Sequence, residues 1–167
     1  KKYSEELQEI NDSKKLTEKK REKLFDIIME NFEVGIGIAS VQEIDELNIL
    51  NATFLAMRRA IEELDKKTNT DVLVLVDGNF KIREYIGKQE PIIKGDAKSL
   101  SIAAASIIAK VTRDRQLVEE GKKYPEYHFE KHKGYGTKAH REALLQYGVT
   151  PIHRKTFLTK ILGENAK

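Results

Sequence analysis

The stretch Lys94–Asp114, KGDAKSLSIAAASIIAKVTRD, decides the fold because it joins a loop with a single aspartate to a helix. Asp96 lies beside a glycine and among lysines, immediately before the helix. The helix is rich in small side chains, at Ala103, Ala104, Ala105 and Ala109. We expect that alanine-rich face to pack closely against a neighbour, and Asp96 to be a candidate cation ligand. Such a site needs a second carboxylate and a sheet that carries both.

Two apolar segments before this stretch predict neighbouring strands. Asp71–Gly78 contains an unbroken aliphatic run, the pattern of a strand covered on both faces in the middle of a sheet. Pro91–Ile93 predicts a short strand that leads to Asp96. Asp77 therefore ends one strand and Asp96 follows the next, at the edge where open α/β sheets bind ligands. Spacing alone favours a plainer interpretation, in which one aspartate caps a turn and the other caps a helix.

The rest of the chain predicts further helices and one more strand. Glu33–Ser40 alternates apolar residues with glycines, which predicts a strand closely approached by another backbone or a ligand. Helices are predicted from a cap at Ser13 or Thr17 to near Asn31, and over Val41–Leu64, Ser99–Glu120 and Lys138–Tyr147. The apolar face of the helix over Val41–Leu64 is expected to be core. Residues 1–10 are interpreted as a linker or frayed turn, and residues 155–167 as a C-terminal tail.

Composition limits the class of protein. A chain of 167 residues suits a single domain with its own core. The absence of cysteine excludes thiol catalysis and thiolate metal sites. No apolar run approaches the ~20 residues of a membrane span, and no signal-peptide pattern opens the chain, so we predict a soluble cytoplasmic protein. The net charge is only +3, so the placement of charge matters more than its sum.

Two basic segments raise the possibility of nucleic-acid binding. Lysines 14, 15, 19, 20 and 23 crowd the start of the first helix, where they form either a solvated face or a phosphate grip. Tyr124–His140 interleaves aromatic rings with cations, as stacking beside phosphates requires. Its histidines at 128, 132 and 140 suggest zinc, but no acidic or cysteine partner has ligand-like spacing.

Eight segments in register resemble a known family. They are NDSKKL at 11–16, VGIGIAS at 34–40, the helix containing NAT at 51–53, LVDG at 75–78, KGDAKS at 94–99, AAASIIAKVTRD at 103–114, HKGYGT at 132–137 and PIHR at 151–154. Together they resemble bacterial ribonuclease HII from about residue 11 to residue 157.

The resemblance implies an α/β protein with the ribonuclease H-like fold, a mixed five-stranded sheet with helices on both faces. It also implies a metal-dependent endonuclease that cuts RNA in RNA–DNA hybrids and cleaves 5′ to single ribonucleotides in duplex DNA, leaving a 5′-phosphate and a 3′-hydroxyl. Such enzymes use four carboxylates around two Mg²⁺ or Mn²⁺ ions. A cytoplasmic monomer engaged in ribonucleotide excision is the corresponding expectation.

Position by position, Asp77 and Asp96 resemble two of the four carboxylates. Tyr135 resembles the tyrosine that stacks on the deoxyribose after the ribonucleotide and senses the RNA–DNA junction. Further nucleic-acid contacts are implied at Asn11, Ser13, Lys14 and Lys133.

One family motif is missing from these 167 residues: the adjacent Asp-Glu followed by Gly-Arg-Gly, which carries the other two carboxylates on the central first strand. Asp45-Glu46 lies in a helical pattern without the glycines and is not expected to replace it. We therefore expect an N-terminally incomplete ribonuclease H-like domain. Alone it would be inactive and poorly folded, unless another segment supplies the strand.

Two other functions stay open. One is an inert module that binds hybrids through Tyr135 and the lysines, and the other is a different metal-dependent nuclease of the ribonuclease H-like superfamily. A small-molecule enzyme is disfavoured because no glycine-rich phosphate loop is present.

Overall fold

The computed structural model describes residues 5–68 and 71–162, apart from the side chain of Lys160. Its helices are α1 Glu18–Asn31, α2 Val41–Asp65, α3 Leu100–Gly121, α4 Phe129–His132, α5 Lys138–Tyr147 and α6 Thr159–Leu162. Short 3-10 turns lie at Glu5–Glu9, Ser13–Lys15, Gly95–Ala97, Pro125–Tyr127 and Lys155–Phe157. Strands β1 Val74–Asp77 and β2 Gln89–Ile92 form a parallel pair. None of the helices described is both long enough and apolar enough to cross a membrane.

The chain packs as two compact units. The first contains the chain up to Ile38 together with Thr53–Thr112, and the second contains Ala39–Ala52 together with the chain from Arg113 onward. Of the three boundaries, one therefore falls just before α2, one inside α2 and one inside α3.

The main core of the first unit lies between α1 and α3. Leu24 on α1 and Ile107 on α3 have no exposed surface, and each contributes about 2 kcal/mol by burial. Leu7 and Ile10 are buried in the same cluster. The expectation of a linker or frayed turn is therefore wrong for residues 5–10, because these two side chains complete the core.

The predicted helix boundaries follow from caps. Thr17, not Ser13, caps α1 by accepting a hydrogen bond from the Lys20 N–H at 3.3 Å, and α1 ends at Asn31 as predicted. At the start of α2, Ser40 and Glu43 cap each other's backbone N–H groups at distances of 3.2 and 2.8 Å. This reciprocal pair is a capping box, which fixes where the helix begins.

The apolar face of α2 is buried in only part of its length. Phe54 is 4% exposed, whereas Leu47, Ile49 and Leu50 are each about two-fifths exposed. Asn48 interrupts the helix with φ 66° and ψ 164°, and its side chain accepts from the N–H groups that begin the following turn. The expectation that the apolar face of this helix is core is therefore wrong for the residues around the break at Asn48.

Residues 33–40 form no strand, contrary to prediction. The part of the chain that the structure describes places no strand beside them, and α2 takes that position instead. Glu63 accepts from the Ile36 N–H at 3.0 Å, while Arg59 donates to the Ile38 carbonyl at 2.7 Å. The glycines permit this approach, because a Cβ on Gly37 would lie 1.9 Å from the Ala56 carbonyl oxygen.

The sheet is smaller than predicted. Among residues 5–68 and 71–162 it contains only β1 and β2, and β1 spans four residues. Leu73 is 54% exposed and Val76 is 4% exposed, so the segment is not covered on both faces along its length. The aliphatic run correctly predicted a strand that ends at Asp77, but the position of that strand in the middle of a sheet was wrong for the described residues.

The alanine-rich helix α3 presses close to α1 as expected, although through fewer alanines. Ala103 and Ala104 are buried in the α1–α3 core. Ala105 and Ala109 are exposed, because they lie on the opposite side of the helix.

The second unit has its own core, built from Tyr127, Phe129, Ala143, Leu144 and Leu158. Helix α5 has the predicted bounds and ends at Gly148, whose φ of 83° favours glycine. The Tyr127 hydroxyl donates to the Gly148 carbonyl, which ties the end of α5 to this core. Of the tail, residues 163–167 lie outside the described part.

Candidate functional site

Asp77 and Asp96 lie at the same edge of the two-stranded sheet. Asp77 is the last residue of β1 and stands opposite Ile92, the last residue of β2, in the parallel register. The Gly78 N–H donates to the Ile92 carbonyl at 3.0 Å, so pairing continues to the end of both strands. The Gly95 N–H then donates to Asp77 Oδ1 at 2.9 Å, which places that carboxylate beside the turn that holds Asp96.

The loop between β2 and α3 is strongly constrained. Lys94 has φ 55° and ψ 45°, a left-handed conformation that costs a non-glycine residue about 1 kcal/mol. A Cβ on Gly95 would lie 2.5 Å from Ile102 Cδ1 and 3.3 Å from Asp77 Oδ1. Ser99 and Lys98 both donate backbone hydrogen bonds to the Gly95 carbonyl. The sequence KGD therefore places Asp96 in a tight turn that leaves little room for a side chain at Gly95.

This pair of carboxylates fits a hard divalent cation. Asp77 is exposed and Asp96 is half-buried, so both can offer oxygen atoms at the surface. Carboxylate oxygens are the ligands that Mg²⁺ prefers, and Mn²⁺ also accepts them. Within the described residues no group of three or more acidic or histidine side chains has an arrangement that could hold a metal ion. Asp77 and Asp96, the two carboxylates that the resemblance points to, thus lie at neighbouring strand ends.

Asp45 has a structural role in the second unit. Its carboxylate accepts hydrogen bonds from the Lys155 and Thr156 N–H groups, at 3.0 and 3.1 Å, and from the Thr156 hydroxyl at 2.8 Å. Partial burial opposes ionisation, but the hydrogen bonds from Thr156 and Lys155 outweigh it and lower the pKa of Asp45. Asp45 therefore binds the first backbone N–H groups of the turn at Lys155–Phe157.

Tyr135 is presented by the loop between α4 and α5. It is 55% exposed, and its backbone N–H donates to the His132 carbonyl at 2.9 Å. The Arg113 guanidinium lies 5.6 Å from the centre of the Tyr135 ring and donates to the Lys133 carbonyl at 3.1 Å. Arg113 was predicted only as part of α3. Its contact with Tyr135 was not predicted, and the cluster of basic residues in the second half of that helix is the feature of the sequence that could have indicated it.

The surroundings of Tyr135 are electropositive. The Arg154 guanidinium lies 3.9 Å from the centre of the Phe157 ring. Burial lowers the pKa of Arg154, and the positive charge of Arg113 lowers it further, while Asp45 opposes the effect. The Arg113 guanidinium beside the exposed Tyr135 ring is suited to a phosphate next to a stacked sugar or base.

The other predicted contacts lie in different settings. Asn11 and Lys14 are exposed, and the Lys14 N–H donates to Asp12 Oδ1 at 2.9 Å. Ser13 is 7% exposed, and its carbonyl accepts from Arg21 at 3.0 Å. Lys133 has φ 49°, and its ammonium donates to the Glu130 carbonyl at 2.5 Å. The Lys14 N–H and the Ser13 carbonyl, in the segment predicted to contact nucleic acid, are therefore already hydrogen-bonded to Asp12 and Arg21.

A family model and several proteins of known family are similar to this chain. The family model described as ribonuclease HII matches residues 1–160. A ribonuclease HII of Fusobacterium nucleatum is 68% identical over 164 residues, covering 97% of this chain and 76% of that protein. Ribonuclease HII of Clostridioides difficile is 54% identical, covering 93% of this chain and 60% of that protein. The relative from Caldanaerobacter subterraneus is 57% identical, with coverages of 93% and 64%.

The chain spans less than two thirds of the length of the relatives from Clostridioides difficile and Caldanaerobacter subterraneus. Among solved structures, the crystal structure of the ribonuclease H2 from Pyrococcus horikoshii OT3 matches with a TM-score of 0.69 and 28% identity, covering 97% of this chain and 84% of that one. The match confirms the predicted α/β fold of the ribonuclease H-like type. On the family model and the relatives, the chain belongs to the ribonuclease HII family, a family of ribonuclease H-type endoribonucleases.

Proposed function

We propose that this chain is part of a metal-dependent endoribonuclease. The enzyme hydrolyses RNA in RNA–DNA hybrids and cleaves 5′ to single ribonucleotides in duplex DNA. A water oxygen forms the new bond to phosphorus as the bond to the 3′-oxygen breaks, giving a 5′-phosphate and a 3′-hydroxyl. The observation that supports this best is the placement of Asp77 and Asp96 at adjacent parallel strand ends, with Asp77 oriented by the Gly95 N–H.

Asp77 and Asp96 are the residues that would hold Mg²⁺ or Mn²⁺. Such ions, when bound, supply an activated water and charge neutralisation at the leaving oxygen. The hydrogen bond from Gly95 restrains one carboxylate, and the tight turn after Lys94 restrains the other. Because the 167 residues contain two of the four expected carboxylates and no Asp-Glu with Gly-Arg-Gly, we infer that this polypeptide alone does not cleave.

Nucleic acid would be bound by the second unit through Tyr135. Its exposed ring can stack on a sugar, and Arg113 places a positive charge within 6 Å of that ring for a neighbouring phosphate. Lys133 adds a contact in the same loop, and in the first unit the exposed side chains of Asn11 and Lys14 remain candidates, whereas Ser13 is buried.

The test uses a chimera. The segments of the Fusobacterium nucleatum relative that this chain does not cover are joined to the chain, in order to supply the Asp-Glu and Gly-Arg-Gly motif that the resemblance implies. We expect it to cleave a hybrid and a duplex with one ribonucleotide, but not all-DNA or all-RNA duplexes. Asp77→Asn should slow cleavage about a thousandfold, because it removes a charged metal ligand, and should leave duplex binding intact. Asp71→Asn is the matched control, because it removes an exposed carboxylate that pairs with Lys88 at 2.5 Å.

The outcomes separate the alternatives. Unimpaired cleavage by Asp77→Asn would contradict the assignment of Asp77. A chimera that binds hybrids without cutting them would support an inert binding module, and one that cuts all-DNA duplexes would indicate a different nuclease of the superfamily.

A further inference from the structure

Three histidines of the second unit form a buried cluster beside the Tyr135 loop. His132, His140 and His153, the histidine cluster, are 8%, 5% and 6% exposed. The rings of His132 and His140 stack with centroids 4.4 Å apart, and His140 Nε2 lies 3.0 Å from His153 Nε2. Sequence spacing had grouped His128 with the first two, but the fold brings in His153 and leaves His128 exposed.

The hydrogen bonds of His153 fix its tautomer and that of His140. The Thr150 N–H, which can only donate, lies 3.0 Å from His153 Nδ1, so this nitrogen accepts. The His153 proton is therefore on Nε2 and is donated to His140 Nε2. His140 in turn carries its proton on Nδ1 and donates it to the Tyr135 carbonyl at 3.0 Å. One proton arrangement satisfies the whole chain from Thr150 to Tyr135.

His132 is fixed independently by two backbone groups. Its Nδ1 accepts from the Gly134 N–H at 3.2 Å, so its proton is on Nε2 and is donated to the Tyr127 carbonyl at 2.8 Å. His132 and His140 therefore hold the backbone of two consecutive residues, Gly134 and Tyr135.

The loop needs such support. Lys133 and Gly134 have φ values of 49° and 73°, and the left-handed conformation of Lys133 is unfavourable without surrounding contacts. Since every ring nitrogen of the cluster is already paired, an added proton would place two donors against each other. Burial lowers the pKa of both His140 and His153, which keeps them neutral at physiological pH. The groups that face them are each other, His132, Thr150 and the rings of Tyr127 and Phe129.

We propose that the histidine cluster is a positioning device that holds the Gly134–Tyr135 backbone so that the Tyr135 ring is presented to nucleic acid. His132 and His140 act directly on this backbone, and His153 acts through His140. The identity of the ligand rests on the proposed function, whereas the hydrogen-bond network does not.

The network is tested first by nitrogen NMR of the histidine side chains in the full chain at pH 7. His140 should be the Nδ1–H tautomer, and His132 and His153 the Nε2–H tautomer, with exposed His128 as the internal reference. Averaged tautomers, a charged ring within the cluster, or signals without dispersion would overturn the network.

The positioning role is tested by two variants of His140 that differ in the bond they keep. The His140→Asn amide can still donate to the Tyr135 carbonyl, whereas His140→Gln can accept from His153 but loses the Tyr135 bond. With a DNA duplex containing one ribonucleotide as the probe, in EDTA, we expect His140→Gln to bind about tenfold more weakly than wild type and His140→Asn within about twofold. Urea unfolding of both variants controls for general destabilisation.

Equal losses in the two variants would overturn the positioning role and leave the cluster as packing. Absence of binding by the wild-type chain would overturn the proposed function and, with it, the nucleic-acid role of the cluster. The NMR tautomers would still decide whether the network exists.

Discussion

Acidification should destabilise the second unit through His153. Burial, with the nearby His140 adding to it, lowers the pKa of His153 from 6.5 to about 4. Between these values the unfolded chain binds a proton that the folded chain does not bind. The stabilising contribution is therefore complete above pH 6.5 and is lost as the pH falls towards 4. Because one pKa unit corresponds to about 1.4 kcal/mol, the total loss is about 3 kcal/mol.

The assay is urea unfolding of the full chain followed by circular dichroism at several pH values between 4 and 7.5. In His153→Asn, the amide oxygen can still accept from the Thr150 N–H, but the side chain does not titrate. Carboxylates that titrate in the same pH range contribute equally to the free energy of unfolding of both proteins, so their contribution cancels in the difference between wild type and variant. We expect the stability of the wild type to fall by about 3 kcal/mol more than that of the variant across this range.

His128→Asn is the control, because His128 is exposed and lies outside the cluster. The His128 Nδ1 lies 3.3 Å from Glu130 Oε1, so this variant reports the effect of losing a histidine outside the cluster. Identical pH dependence in wild type and His153→Asn would refute the reasoning, since it would mean that His153 does not remain neutral in the folded chain.

Three glycine substitutions test the packing against α2 and beside the candidate metal site. Gly37→Ala should destabilise the chain by about 3 kcal/mol in urea unfolding, because its Cβ would meet the α2 backbone, while Gly136→Ala, with open space around it, should be nearly neutral. Unchanged stability of Gly37→Ala would contradict the approach of residues 33–40 to α2. Gly95→Ala should cost only about 1 kcal/mol, because Ile102 Cδ1 can shift, yet it should weaken Mn²⁺ binding by crowding Asp77. An unaltered Mn²⁺ affinity would show that the Gly95–Asp77 contact does not shape the site.

Local signals in the sequence predicted the parts of the fold that local interactions determine. Thr17 and Gly148 set helix ends through bonds within a few residues, so their roles could be read from the chain. The aliphatic run before Asp77 likewise predicted a strand and the edge at which it ends. Asp77 and Asp96 follow directly from two short strands, and the Gly95–Asp77 bond shows that those strand ends meet.

Features that depend on distant partners could not be predicted in the same way. Alternation in residues 33–40 indicates an extended backbone but not what pairs with it, and side chains of α2 fill that role. His153 joins the histidine cluster only through the folding of the turn after α5. Arg113 reaches Tyr135 because the Lys133–Gly134 turn brings the ring back towards α3.

The central claim is that Asp77 and Asp96 form a divalent metal site, and paramagnetic NMR tests it most directly. On titrating Mn²⁺ into the full chain, with affinity on the order of 1 mM expected for so few carboxylates, the backbone N–H signals of Gly78 and Gly95 should broaden first. Asp77→Asn should abolish this broadening and Asp71→Asn should preserve it. Broadening that is equal in wild type and Asp77→Asn, or that begins elsewhere in the chain, would contradict the account.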